Sequence, residues 1–269
     1  MDHSRPQVVA HRGASDECAE HTAEAYLLAL DSGADALECD VRLTADGHLV
    51  CLHDRRIDRT STGRGVVSTL PLADLERWDF GSWKQPWADL EDELDELPSG
   101  AVLTFEALCA LVRDIGRPVQ LAVETKHPTR FAGLVERRLV ETLRRFGWAH
   151  ATPGQPAPVR VMSFSWMSLH RIREHAPAVP TVYLMEHVPV RLRDGYLPRG
   201  SRIAGPRIDV VREYPSYVAK AHAAGHAVHV WTVNDQADLE LCLRLGVDAV
   251  ITDKPAQTGA QLDRILTQR

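Results

Sequence analysis

Short apolar runs, each ended by a polar or charged cluster, set the rhythm of this chain. Val8-Val9-Ala10 leads into His11-Arg12-Gly13, Ala36-Leu37 into Glu38-Cys39-Asp40, and Leu49-Val50-Cys51-Leu52 into His53-Asp54. Runs of this length read as buried strands. The pattern predicts strands at 7–11, 36–43, 49–54, 119–126, 159–164, 181–185, 203–208, 227–233 and 250–253. Helical spacing predicts helices over 20–33, 104–115, 130–147, a short stretch ending at His175, 214–224 and 235–245. Thr22 is placed to cap the first helix and Gly33 to end it. Asp46-Gly47 supplies the turn residues of a hairpin joining 36–43 to 49–54. Such a hairpin brings Glu38 and His53 to similar heights only if its strands are offset.

Strands that mostly alternate with helices mean a parallel sheet with right-handed crossovers. Nine candidates nearly match the eight of a closed (β/α)8 barrel of the TIM type, with 203–208 the weakest. A doubly wound sheet is the alternative, but neither G-x-G-x-x-G nor G-x-x-x-x-G-K-[ST] is present to support a nucleotide on it. The 269 residues suit one barrel domain spanning 1–269, since such barrels run to about 250 residues. Residues 55–102 break the alternation and read as an insertion after the third strand, a small, partly helical cap. It holds Trp78, Trp83, Trp87 and the acidic run 89–96. The run reads as a solvated face and the tryptophans as cap packing.

The net charge of −6 argues against a nucleic-acid partner, which favours a basic face. Five scattered cysteines without a C-x-x-C pair suggest reduced thiols and a cytoplasmic protein. The first residues carry no signal-peptide pattern, and no apolar stretch approaches the roughly 18 residues of a membrane helix. Nothing in the sequence sets an oligomeric state.

The strand ends carry the candidate chemistry, as they do in α/β barrels. Glu38 and Asp40 share one face of a strand, with Cys39 on the other. Two carboxylates so close repel unless a cation lies between them or one is protonated. Glu124 ends a later strand and could complete an all-oxygen site suited to Mg²⁺ or Ca²⁺. Alternatively, Arg12 and Lys126 neutralise the acids without a metal. His11 and His53 are candidates for a general acid and base, although a lone strand-end histidine is commonly structural. Arg12 can grip a phosphate with two N–H groups and Lys126 can add a point charge. Without a G-x-S-x-G elbow or an activated thiol, covalent Ser or Cys catalysis is disfavoured. From the residues alone, this is metal-assisted acid–base chemistry on a phosphoester.

The motifs, in order, are His11-Arg12-Gly13-Ala14-Ser15; Glu20-His21-Thr22; Glu38-x-Asp40-Val41-x-Leu43-Thr44-x-Asp46-Gly47; and His53-Asp54 with Arg59-Thr60. Glu124-x-Lys126, Ser163-Phe164, Trp231-Thr232-Val233-Asn234 and Thr252-Asp253-Lys254-Pro255 follow. Together they resemble the glycerophosphodiester phosphodiesterase family over nearly the whole chain. The resemblance implies a (β/α)8 barrel that hydrolyses a small glycerophosphodiester to glycerol 3-phosphate and an alcohol. It implies Glu38, Asp40 and Glu124 as ligands of Mg²⁺ or Ca²⁺, and His11 and His53 as the acid–base pair. It further implies Arg12 and Lys126 as phosphate contacts and Trp231 as a pocket wall. Two stretches depart from the family: Ala19-Glu20-His21-Thr22 for Pro-Glu-Asn-Thr, and Leu103-Thr104-Phe105-Glu106 for Pro-Thr-Leu-Glu. Neither matches a catalytic residue, so they bear on loop shape and substrate preference. A lysophospholipase D-type reaction is a near variant, for which the Trp-bearing insertion is the only hint of an apolar groove. A non-catalytic barrel binding a phosphorylated ligand would show a missing histidine or carboxylate, and none of the matched positions is missing.

Overall fold

In a computed structural model, residues 5–84, 100–131, 133–150 and 154–267 are described. Trp87 and the acidic run 89–96 lie outside them. The elements run β1 (Gln7–His11), α1 (Ala23–Asp31), β2 (Ala36–Leu43), β3 (Leu49–Cys51), α2 (Leu72–Leu75), α3 (Phe105–Asp114), β4 (Gln120–Thr125) and α4 (Leu134–Arg145). They continue with β5 (Val159–Ser163), α5 (Trp166–His175), β6 (Thr181–Met185), β7 (Ile203–Pro206), α6 (Ile208–Glu213), α7 (Ser216–Ala223), β8 (Ala227–Val230), α8 (Gln236–Leu245), β9 (Ala249–Thr252) and α9 (Pro255–Thr267).

Eight of the strands are parallel and close on themselves: β1-β9-β8-β7-β6-β5-β4-β2, with β2 returning to β1. This is the (β/α)8 barrel. The ninth strand is β3, which pairs antiparallel with β2 outside the ring. The weakly patterned 203–208 is therefore a barrel strand. It reads weakly because Gly205 and Pro206 dilute its apolar run, and a Cβ at Gly205 would stand 2.8 Å from Leu184. The helix expected over 214–224 is α7, and a further short helix, α6, precedes it, separated from it at Tyr214-Pro215. The closing helix α9 went unread in the sequence.

Alternation along the strands sorts side chains into two cores. Even-numbered residues of β2 point inward: Ala36 joins Val9, Ala122, Met162, Val182, Leu184, Ala249 and Ile251 inside the barrel. Odd-numbered residues point outward: Leu37, Cys39 and Val41 pack with Tyr26, Leu30, Leu108 and Leu139 under the helices. The same parity lifts His11, Glu38, Asp40 and Glu124 onto the inner face at the C-terminal rim. Polar caps fix the helices that follow, with Thr22, Thr104 and Ser165 accepting N–H bonds at the starts of α1, α3 and α5.

The hairpin height problem has a geometric answer. Strand β2 outruns its neighbours: β1 stops at the His11–Glu38 pair and β4 stops at Thr125 beside Val41. The overshooting end, Val41 to Leu43, pairs with β3, which runs back down. The Leu52 N–H donates to the Asp40 carbonyl at 3.0 Å, so His53 returns to the level of the carboxylates. Beneath the start of the insertion, Ile57, Val67, Leu75, Phe80 and Val102 form a small core with Val50 and Leu52.

Gly13 shows how tightly the first turn packs. Its φ is +87°, and a Cβ there would meet the Ala25 backbone at 2.6 Å. A Gly13→Ala substitution thus combines a disfavoured backbone with a backbone clash and should cost at least about 2 kcal/mol. Chemical denaturation checks this, and an unchanged unfolding midpoint would contradict it.

Candidate active site

The rim carboxylates converge. Glu38, Asp40 and Glu124 each present an oxygen to a common point, those atoms lying within 4.8 Å of one another, and all three residues are buried. Register explains the meeting, because Asp40 stands beside Glu124 across β2 and β4, and Glu38 beside His11 across β1 and β2. Burial and the neighbouring Asp40 push Glu38 well above the usual carboxylate range, and raise Glu124 to about 8. Burial would raise Asp40 too, but Lys126, His21 and Arg12 outweigh it and hold this acid well below its usual range. The Lys126 ammonium lies 2.9 Å from both Asp40 Oδ1 and Glu124 Oε1. Arg12 Nε lies 3.2 Å from Asp40 Oδ2.

Arg12 sits in a left-handed conformation, φ 60°, rare for a non-glycine residue. The conformation aims its backbone N–H at both the carbonyl and the carboxylate of Glu38, at 3.2 and 3.1 Å. Its guanidinium reaches Glu20 at 3.2 Å.

Both histidines are anchored through Nδ1 by an acid. His11 Nδ1 is 2.6 Å from Asp253, which also accepts bonds from Ser15 and Asn234. His11 Nε2 lies 4.0 Å from Glu38. His53 Nδ1 is 2.7 Å from Asp54, whose other oxygen accepts from Arg59 at 2.6 Å. Arg59 in turn clamps Glu20 with two N–H groups, at 2.7 and 2.8 Å. The chain Arg12–Glu20–Arg59–Asp54–His53 thus runs along one side of the site. Burial, reinforced by Lys126 and Arg12, lowers the His53 pKa against the pull of Asp40 and Asp54. Burial would raise Asp253, but its bonds with His11, Asn234 and Ser15 pull it down to about 2.

Of these groups, His11, Arg12, Glu38, His53, Glu124 and Lys126 line one cavity of about 200 Å³, together with Met162, Phe164, Leu184, Glu186, Trp231 and Ile251. One wall is charged and the other apolar. Trp231 and Phe164 meet edge to face, 5.5 Å apart, with the indole N–H on the Gly205 carbonyl. Every residue expected at the site from the sequence is therefore brought to this mouth. Trp78 and Trp83 are elsewhere: Trp78 packs on Gly63, and Trp83 lies under Arg59.

Three parts went unassigned in the sequence. Asp54, Asp253 and Asn234 stood in the quoted motifs without a role, because their partners are fixed only by folding. Glu186 follows β6 with no motif around it. The third, His21, corrects an expectation. The change at position 21 bears on more than loop shape, since His21 Nε2 lies 3.0 Å from Asp40 and Nδ1 lies 2.8 Å from the Tyr26 hydroxyl. Its φ of 63° explains the kind of residue found there, since Asn and His tolerate the left-handed region better than most.

With this geometry described, comparison with known proteins identifies the class. The sequence pattern of the glycerophosphoryl diester phosphodiesterase family matches residues 11–257, and the chain belongs to that family of phosphoric diester hydrolases. A Mycobacterium tuberculosis protein named as a probable glycerophosphodiester phosphodiesterase is 45% identical over 258 residues, covering 96% of this chain and 93% of that one. A Bacillus subtilis glycerophosphodiester phosphodiesterase is 33% identical, over 92% of this chain and 83% of that one. Among solved structures, an Oleispira antarctica phosphodiesterase in complex with sn-glycerol-3-phosphate superposes with a TM-score of 0.78 at 26% identity, covering 96% and 97% of the two chains.

Asp253 gives a pH test. Its folded pKa of about 2 lies below the ordinary 3.8. It therefore contributes stability that is fully present above about pH 4 and is lost as pH falls through 2, on the order of 2 kcal/mol in all. The stability advantage of the wild type over Asp253→Asn, measured by urea denaturation, should shrink across that window. A difference independent of pH would contradict the assignment.

Proposed function

We propose that this enzyme hydrolyses small glycerophosphodiesters to glycerol 3-phosphate and an alcohol, with a divalent cation and the pair His11 and His53. One observation carries the reading: two histidines, each backed by an acid, face a single cavity with Glu38 and Glu124, which cluster with Asp40 in a buried carboxylate trio.

The donor set fits a hard cation. Three carboxylates crowded into a buried site are opposed, among the described residues, by the cations Arg12 and Lys126. Burial first, and the neighbouring Asp40 second, raise the pKa values of Glu38 and Glu124, so positive charge at this point is favoured. An all-oxygen set suits Mg²⁺ or Ca²⁺ held by Glu38, Asp40 and Glu124. When bound, such an ion supplies positive charge to a phosphoryl oxygen.

Arg12 and Lys126 hold the phosphate, and Trp231 with Phe164 packs the carbon skeleton. His53, kept neutral by burial, takes the proton from the attacking oxygen, either a water or a neighbouring hydroxyl of the substrate; in the second case the product is a cyclic phosphate, which a water then opens to glycerol 3-phosphate. As the new P–O bond forms, the bond to the departing alcohol breaks, and His11 delivers a proton to that oxygen. Asp253 and Asp54 hold the two rings with Nε2 free for these transfers. Five buried, unpaired cysteines fit a reducing cytoplasm. Among the described residues, no helix is long and apolar enough to cross a membrane.

The lysophospholipase D-type variant draws support from Phe164, Trp166 and Met167, which are exposed in sequence beside the apolar wall. That is a different place from the insertion tryptophans.

Turnover of glycerophosphocholine and glycerophosphoethanolamine with Mg²⁺ or Ca²⁺ tests the reading. His11→Ala and His53→Ala should each lower kcat about 10²–10⁴-fold, and a chelator should abolish activity reversibly. No turnover across such a panel, or a His53→Ala variant equal to wild type, would overturn it. Faster cleavage of a lysophospholipid than of its deacylated counterpart would favour the second reading.

A further inference from the structure

A second cavity, of about 410 Å³, opens on the other side of Lys126, between the β2–β3 hairpin and the loop after β4. Its charged lining is entirely cationic: Arg42, Arg55, Lys126 and Arg130, with His127 beside them and no carboxylate among the lining residues. Ser68 and Thr129 add hydroxyls, and Leu43, Val67 and Val135 form an apolar floor.

Lys126 pairs with Asp40 and Glu124 on the catalytic side, but the three arginines of the cavity are not spent on local acids. Arg55 and Arg130 form no ion pair among the described residues; Arg130 only lies over the Phe131 ring. Arg42 spends Nε and Nη2 on the His53 carbonyl, at 2.9 and 2.6 Å, which leaves Nη1 without a partner among the described residues. His127 faces the buried Glu136, at 3.3 Å, and Glu136 is shared with Arg171 behind the cavity. Several like charges gathered in one concave space repel each other, and they focus a positive field that draws in an anion. Two of the groups tie this field to the catalytic cavity: Lys126 lines both, and Arg42 holds the backbone of His53.

We propose that this cavity is an anion subsite that takes a phosphate group, next to the reacting phosphodiester. The inference rests on the phosphodiesterase reading for its place beside the reaction, while its charge complement stands independently. Two sources share the chemistry: a second phosphate carried by the substrate, or free inorganic phosphate. Guanidinium groups suit either, since their N–H forks match phosphate oxygens.

Arg55 and Arg130 are exposed, so the double variant Arg55→Ala/Arg130→Ala leaves the packed core untouched. In the first arm, inorganic phosphate is titrated calorimetrically into wild type and variant, both treated with chelator. The expected result is phosphate binding in wild type that weakens at least tenfold in the variant; identical isotherms overturn the proposal, whether or not either protein hydrolyses a diester. In the second arm, kcat/KM for bis(glycerophospho)glycerol, which carries a second phosphate, is divided by kcat/KM for glycerophosphocholine, which does not. A fall in that ratio of tenfold or more in the variant assigns the site to the substrate's own second phosphate. An unchanged ratio, with phosphate binding lost, assigns it to free phosphate. Failure of wild type to turn over either diester, with calorimetric binding intact, would sink the phosphodiesterase reading and leave the anion site standing.

Discussion

The structure around the barrel mouth depends on one electrostatic constraint: three carboxylates held within 4.8 Å in a buried place. Acids so arranged cannot all ionise unless positive charge is brought to them. Much of the surrounding geometry answers that demand. Arg12 accepts a left-handed backbone to place its N–H and guanidinium against Glu38 and Asp40. Lys126 bridges Asp40 and Glu124, and His21 shares the other oxygen of Asp40 with Arg12. Two cations against three acids still leave the cluster short of positive charge, and a divalent ion would reverse that sign at the point where a phosphate arrives.

The same constraint accounts for the distribution of strain and hydrogen bonds in the loops. The charge relay from Arg12 through Glu20, Arg59 and Asp54 ends on His53, while Asp253 and Asn234 hold His11 from the opposite side. Each histidine therefore has one nitrogen committed and one free. The β2 overshoot and its antiparallel return place His53 at the height of the acids, a task a parallel connection of that length could not perform. Beyond Lys126 the positive charge continues into the cationic cleft, so the field is asymmetric, with apolar Phe164 and Trp231 on one flank and arginines on the other.

Much of this was legible in the sequence because it depends on parity and order. Strand alternation alone puts Glu38 and Asp40 on one face and Cys39 on the other, and strand ends locate His11, His53 and Glu124. The βα alternation indicates a parallel sheet, with a doubly wound sheet as the alternative to a closed barrel; the family resemblance implies the barrel, and the identity of the extra strand follows from neither. Gly205 and Pro206 disguised a true barrel strand, while the run 49–52, expected as a hairpin partner of 36–43 and found as one, still counts among the barrel candidates of the sequence. Contacts between distant loops were illegible for a physical reason. Nothing local in Asp253 marks it as the partner of His11, 242 positions away, and nothing in Glu20 foretells its clamp by Arg59. His21 was legible only as a departure from a motif; its bond to Asp40 appears once α1 folds back against β2.

The central claim is that the carboxylate cluster is a cation site in its own right, before any substrate arrives. Isothermal titration of Mg²⁺ and of Ca²⁺ into chelator-treated, phosphate-free protein tests it most directly. The account predicts one divalent ion bound per chain, with binding lost in Glu38→Gln and in Glu124→Gln while both variants remain folded by circular dichroism. A wild type that binds neither ion, or variants that bind as wild type does, would contradict it.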